Sequence, residues 1–356
     1  MKKLIPQHIV DLQPYQSARR LGLSGRIYLN ANEAPWNTVA NYKNNNLNRY
    51  PDFQSKELLK KYSKYSRVSP HKILITRGVD EGIDLLIRAF CVQNCDKVMF
   101  FSPTYDMYSI SADIYNIEKI NIPLLSSFEL NKHAIKKNLN NIKIIYICNP
   151  NNPTGNLFLK KDMVDILNFI PKTTLLVIDE AYIDYSVNNS LSSKLDQYTN
   201  LVILRTLSKA FGLAALRCGF ILSNIEIIRI LQKVLAPYPI ATPVSELAIQ
   251  HLHSGNIQKI QGNILKILKN KEFLIKQLKT YSYIQRIFPS EANFILIKVF
   301  QSKRLFNHIK SHGIIIRDQS HKLGLENCLR ISIGTMSECK DLIHVLSIFE
   351  GKKNIQ

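Results

Sequence analysis

From about residue 70 the sequence alternates short, continuously apolar, β-branched runs with longer amphipathic ones. KILIT at 72–76 is followed by VDEGIDLLIRAF and KVMFF at 97–101 by YDMYSISADIY, and the series continues through IKIIYIC at 142–148, TLLVID at 174–179 and LVILR at 201–205. Apolar runs without a polar face, separated by helix-length segments, predict a largely parallel sheet covered by helices on both sides. Residues 224–280 carry no strand signal and read as helices joined near Ala236-Pro237-Tyr238-Pro239. ANFILIKV at 292–299, a helix from about 302, GIIIR at 313–317, CLRISIG at 328–334 and a closing helix then predict a smaller α+β unit. Pro14, Gly22, Gly25, Pro35 and the run Asn44-Asn45-Asn46 make the start an extended arm. The expected division is an arm over 1–45 that joins the small domain, a large domain over 46–255 and a small domain over 256–356.

Composition narrows the class without deciding it. With 356 residues, 46% of them apolar and 21% charged, the chain is a folded protein rather than a disordered or fibrous one. Forty-seven Lys and Arg against 27 Asp and Glu leave a net charge of +20, which raises the question of a polyanionic partner. The lysines are spread along the whole chain, whereas a nucleic-acid binder concentrates them on one element, so neither nucleic acid nor membrane is expected as a partner. The six cysteines form no CxxC pair and have no matching His spacing, which points to reduced, mostly buried thiols and to no metal site. Pro6, Gln7, His8 and Asp11 interrupt any signal-peptide-like run, and no stretch reaches the ~18 apolar residues of a membrane span, so a cytoplasmic location is expected.

Chemistry gathers at the strand ends. Lys209, in Ser208-Lys209 just after LVILRT, is a lysine at the carboxyl edge of a core sheet, where desolvation makes an amine nucleophilic enough for a Schiff base with an aldehyde cofactor. TLLVID ends in Asp179, and a carboxylate at the end of a central strand needs a cation such as a pyridinium nitrogen; helix capping or metal ligation are its structural alternatives. In Asn149-Pro150-Asn151-Asn152-Pro153-Thr154-Gly155 two prolines and a glycine build a double turn from which Asn152 can donate to a ring oxygen. Thr76-Arg77-Gly78-Val79-Asp80 joins a strand to a helix whose first N–H groups can hold a phosphate. Arg217 enters an apolar strand and calls for an anion. Arg317, closing GIIIR, and Arg330, inside CLRISIG, are charges at strand positions, to be matched by substrate anions or by internal carboxylates. Tyr105 and Tyr50 are aromatic candidates that also serve as ordinary core or turn residues.

Taken in order, PYQSARR, LNANE, RYP, RGVDE, NPNNPTG, DEAYI, RTLSKAFGLAALRCGF, APYPIATP, IIIRDQ and LRISIGT resemble the pyridoxal-phosphate-dependent aminotransferases of the aspartate aminotransferase fold, and within them the histidinol-phosphate aminotransferase family. The resemblance spans nearly the whole chain. It implies an α/β protein of fold type I, with a mostly parallel central sheet flanked by helices and a small α+β domain, working as a homodimer in histidine biosynthesis. Its substrates would be histidinol phosphate and the 2-oxoglutarate/glutamate pair. By that resemblance Lys209 would carry the cofactor and shuttle the proton, Asp179 would pair with the ring nitrogen, and Asn152 and Tyr182 would hold the ring oxygen. Tyr105 would stack on the ring, while Gly78, Val79, Asp80, Thr206, Ser208, Arg217 and a neighbouring subunit's Tyr50 hold the phosphate. Substrate would meet Tyr15, Asn32, Arg317 and Arg330. Ala215 departs from the family pattern, which often has Gly there. The alternatives of the same fold are a threonine-phosphate-type decarboxylase and an aromatic amino acid aminotransferase. A DNA-binding regulator would need a reading module that the first 50 residues are too short and irregular to supply.

Overall fold

The computed structural model describes residues 4–14, 16–17, 29–37 and 47–351, without the side chains of the last two. Seven strands form the first sheet: β1 (Ile73–Thr76), β2 (Lys97–Ser102), β3 (Glu118–Pro123), β4 (Ile142–Cys148), β5 (Leu175–Asp179), β6 (Leu201–Thr206) and β7 (Gly219–Ser223). Their order is β1-β7-β6-β5-β4-β2-β3. Strands β3, β2, β4, β5 and β6 run parallel, and β7 lies antiparallel between β6 and β1.

Period-two alternation divides the apolar side chains between two cores. Ile145, Ile147, Leu176, Ile178, Leu201 and Ile203 face one of them. Ile144, Tyr146, Leu175, Val177, Val202 and Leu204 face the other. Each side is covered by helices, which is why β4, β5 and β6 read as unbroken apolar runs. The helix Gly78–Phe90 is buried along most of its length and belongs to the second core. Because β4, β5 and β6 are parallel, all three deliver their carboxyl ends to one edge of the sheet.

Four further strands, β8 (Ile284–Ile287), β9 (Phe294–Val299), β10 (Arg317–Asp318) and β11 (Cys328–Ser332), make an antiparallel sheet in the order β10-β11-β9-β8. With the helices Ser302–Ser311 and Met336–Gly351 and the end of the 25-residue helix Ser254–Leu278, it encloses a third core around Leu274, Ile295, Ile297, Leu329 and Leu346.

Two expectations about strands need correction. GIIIR is a strand only at Arg317, since Ile315 is 73% exposed and the ladder begins at Arg317 opposite Arg330. Two strands went unread: β3, an edge strand with a single buried residue, and β8, with none. Some described residues of the arm pack against the large sheet's side. Leu4 is fully buried in the second core, Lys233 donates to the carbonyls of Ile9 and Val10, and Glu33 binds Arg49 and the Tyr50 N–H.

All six cysteines are free thiols, four of them buried. No described helix is long and apolar enough to cross a membrane.

Candidate active site

A cavity of about 330 Å³ opens where the carboxyl edge of the large sheet meets the small sheet. Twelve of the sixteen residues singled out in the sequence line it: Val79, Asp80, Tyr105, Asn152, Asp179, Tyr182, Thr206, Ser208, Lys209, Arg217, Arg317 and Arg330.

Asp179 ends β5 between Cys148 of β4 and Leu204 of β6 and is 2% exposed. It accepts hydrogen bonds from the Tyr108 hydroxyl at 2.7 Å and the Ala181 N–H at 3.0 Å, and among the described residues no cation forms an ion pair with it. The second bond closes a turn over two residues and caps no helix, since the next helical turn begins at Ile183 with Tyr182 at its N-cap. Burial pushes the pKa of Asp179 up to about 6, against the opposing pull of those two donors. A carboxylate held this way gains from any cation that enters the cavity.

Lys209 follows β6 in a turn at the carboxyl edge of the sheet, and its side chain is exposed toward the cavity. Its Nζ has no hydrogen-bond acceptor or ion-pair partner among the described residues and lies 5.4 Å from the centre of the Tyr182 ring. Partial burial, then the positive field of Arg330, lowers its pKa below that of an ordinary lysine. Tyr182 is itself buried, and that burial raises the pKa of its phenol.

The start of the helix Gly78–Phe90 forms one wall. Gly78 has φ +83°, and a Cβ there would come within 2.8 Å of the Arg217 guanidinium. Glycine therefore serves twice, by adopting the left-handed turn and by leaving room for the arginine. Arg217 corrects the sequence reading: it is exposed, left-handed at φ 50°, and sits in the loop before β7 rather than inside a strand. It binds Asp80 at 3.1 Å, while Tyr105 donates to the other Asp80 oxygen at 2.8 Å. Arg217 also approaches the Ser208 hydroxyl at 3.4 Å, and Thr206 accepts the Ser208 N–H at 3.0 Å. Hydroxyls, a guanidinium and helix-terminal N–H groups thus converge on one corner, a donor set suited to a phosphate.

The opposite wall is the small sheet. Arg317 and Arg330 are direct cross-strand partners, and neither meets a carboxylate among the described residues. The internal salt bridge weighed for them is absent. Arg330 instead donates to Asn152, and its ring neighbour is Phe294, 5.4 Å away. Asn152 is held in the double turn that closes at Gly155, φ +82°, where a Cβ would strike Ser290.

Four predicted residues are placed elsewhere. Gly78 shapes the wall without lining it. Asn32 is exposed with φ 53° and does not line the cavity. Tyr50 is 49% exposed and stacks on Tyr238 at 4.2 Å, away from its own chain's cavity. Tyr15 lies outside the described residues. Sequence reasoning gave no role to Tyr108, Thr104, Asp106, Gln319, His321 and Lys322, although Gln319 ends the IIIRDQ segment and Tyr108 stands in the first turn of the helix Met107–Ile114, which Tyr105 precedes.

Residues 24–346 match the family described as aminotransferase class I and II. The chain is 64% identical over 352 residues to the histidinol-phosphate aminotransferase of Buchnera aphidicola subsp. Cinara cedri, covering 99% of this chain and all of that one. Among solved structures it matches the histidinol-phosphate aminotransferase of Clostridium acetobutylicum with a TM-score of 0.79 and 25% identity, over 86% of this chain and 92% of the other. The enzyme of that name from Sinorhizobium meliloti, solved in complex with pyridoxal-5'-phosphate, matches with a TM-score of 0.76 and 23% identity over 84% of both chains, a likeness of fold.

Proposed function

The chain belongs to the class I and II aminotransferases and within them to the histidinol-phosphate aminotransferases, and we propose that it moves the amino group of L-histidinol phosphate to 2-oxoglutarate, giving the imidazole ketone phosphate and L-glutamate. The observation that carries this is the set of unpaired charges around one cavity: Asp179 without a cation, and Arg317 and Arg330 without a carboxylate. Enzymes of this family use pyridoxal phosphate, and the residues present fit it. The lone buried carboxylate suits a protonated ring nitrogen, and the corner of Gly78, Val79, Asp80, Thr206, Ser208 and Arg217 suits a phosphate. When bound, that cofactor supplies an aldehyde to hold the substrate nitrogen and an electron-poor ring to accept charge from the substrate carbon.

The chain's own groups do the rest. Lys209, an amine with a lowered pKa and no competing partner, takes the proton from the substrate carbon and returns it on the other side of the exchange. Asp179 keeps the ring nitrogen protonated, and Tyr108 and the Ala181 N–H fix that carboxylate's orientation. Asn152, Tyr182 and Tyr105, which line the cavity, would hold and orient the ring. Arg330 and Arg317 hold the anionic ends, phosphate in one half-reaction and carboxylate in the other, because a planar guanidinium bonds either in two places. For Tyr15 and Asn32 a substrate role rests on the family resemblance alone, since Asn32 does not line this chain's cavity.

The large unit, 46–255, carries the cofactor and the small unit, 256–356, the arginines, and the working form is a cytoplasmic homodimer. Tyr50 supports the dimer: an exposed ring, stacked on Tyr238 and off its own cavity, is available to a partner's phosphate corner. The test is amino transfer from histidinol phosphate to 2-oxoglutarate, run beside phenylalanine and tyrosine as donors and threonine phosphate as a decarboxylation substrate. Glutamate formation led by histidinol phosphate is expected. Carbon dioxide release from threonine phosphate in its place would assign the site to the rival reaction.

A further inference from the structure

The wall beside the two arginines contains a polar group that no described residue satisfies. Gln319 lines the cavity and is 2% exposed, and its carboxamide oxygen is shielded from solvent with no hydrogen-bond partner. Native structures hold few such atoms, because an unpaired buried carbonyl costs as much as a lost hydrogen bond. The backbone around it is well determined. The Gln319 N–H donates to the Cys328 carbonyl at 2.9 Å, which continues the β10–β11 ladder one residue past its end, and the Gln319 carbonyl accepts from the Lys322 N–H at 3.0 Å. Lys322 crosses to the far wall, where its ammonium donates to the Thr104 carbonyl at 2.9 Å and pairs with Asp106. The orphaned amide is therefore not a consequence of a loose loop.

Strand alternation sets Gln319 on the same face as Arg317, about 7 Å further along, with Arg330 beside Arg317 across the ladder. The three side chains form a row with two cations at one end and a neutral amide at the other. Phosphate and carboxylate bring only acceptor oxygens and belong with the arginines. An unpaired carbonyl oxygen asks for an N–H, and a half-turn of the carboxamide also offers an NH₂ to an acceptor. A neutral imidazole has one nitrogen of each kind.

Building on the function proposed above, we propose that Gln319 is the specificity-determining residue for the imidazole ring of the amino donor, hydrogen-bonding a ring nitrogen while Arg317 and Arg330 hold the phosphate. The glutamate half-reaction does not use this contact in the same way, since glutamate presents a carboxylate that the amide oxygen repels.

The experiment compares kcat/KM in the wild-type holoenzyme for histidinol phosphate, for phenylalaninol phosphate, which keeps the amine and phosphate but has no ring nitrogen, and for glutamate. Gln319→Met, nearly isosteric, and Gln319→Leu follow, with circular dichroism as the check on folding so that either variant suffices. Wild-type protein should prefer histidinol phosphate over phenylalaninol phosphate by about tenfold or more, the discrimination of a site built around a hydrogen bond. The preference should fall toward one in the variants, and the glutamate rate should change by less than about twofold. A wild-type ratio near one overturns the inference, as does a variant in which all three substrates lose the same factor, which would mark Gln319 as structural and bonded to water. Failure of wild-type protein to transaminate histidinol phosphate at all would instead sink the underlying functional reading.

Discussion

Asp179 and Glu180 are neighbours in the chain, both buried, and they have opposite fates. Glu180 accepts from the Arg205 Nε at 2.7 Å, from the Ser190 hydroxyl at 2.9 Å and from the Leu191 N–H at 2.8 Å, and Arg205 also reaches Asp184 at 3.6 Å. Asp184 in turn accepts from Tyr65 at 2.6 Å. Every charge in that network has a partner. One residue earlier the strand turns the other way, and Asp179 looks into the cavity with two neutral donors and no cation. Lys209, Arg317 and Arg330 around it make no ion-pair contact among the described residues, and Lys209 and Asp179 act on each other only through their field. The same sheet edge thus has a closed ion network on one side and an open one on the other. A buried charge that the fold itself completes is architecture, and one that the fold leaves incomplete waits for a ligand.

If that distinction holds, damage to the closed network should appear as lost stability and damage to the open one as lost activity. Glu180→Ala takes the nearer carboxylate from buried Arg205 and leaves it only Asp184 at 3.6 Å, and is expected to lower unfolding free energy by about 3 kcal/mol, read from the urea midpoint, with kcat of the folded fraction little changed. Asp179→Asn should do the reverse, costing about 100-fold in kcat because a charge facing the reacting group is gone.

The same variant gives a pH signature in the protein without cofactor. The carboxyl of Asp179 is raised from 3.8 to about 6 by burial, so folding favours its protonated form. That contribution is complete below about pH 4 and is lost as pH rises through about 6, a decline of about 3 kcal/mol. Urea titrations across this range should show the decline in wild-type protein and a smaller one in Asp179→Asn. Equal declines would mean that the group titrates normally and that its isolation is not felt.

The smallest expected effect comes from Tyr50, which extends the comparison across a dimer. Tyr50→Phe should be measurably impaired, and mixing it with inactive Lys209→Ala should restore activity toward one intact site per heterodimer. Doubly tagged heterodimers no more active than the parental variants would return Tyr50 to its own turn.

Much of this was legible in the sequence because the decisive residues lie at the ends of unmistakable strands. IKIIYIC, TLLVID and LVILR are apolar on both sides, so their last residues necessarily stand at one sheet edge, and Asp179, Asn152 and Lys209 follow directly. Where burial is one-sided or slight the signal fails: EKINIP at 118–123 shows no clean alternation, and IQRI at 284–287 has no buried residue. Arg217 was misplaced because an arginine beside an apolar run looks the same whether it enters the strand or precedes it in a left-handed turn. Gln319 was read only as part of the IIIRDQ segment and Lys322 carried no signal, since the place of each is set by what stands near it in space: the cavity wall with Arg317 and Arg330 for one, and Thr104 and Asp106, more than 200 residues away in the chain, for the other.

The central claim is that the open cluster around Lys209 is where the chemistry occurs, and its most direct test is chemical. Holoenzyme reduced with borohydride and digested should yield one pyridoxyl-labelled peptide, with the label on Lys209, and Lys209→Ala treated in the same way should yield none. A label on another lysine, or one that survives in Lys209→Ala, would contradict the account.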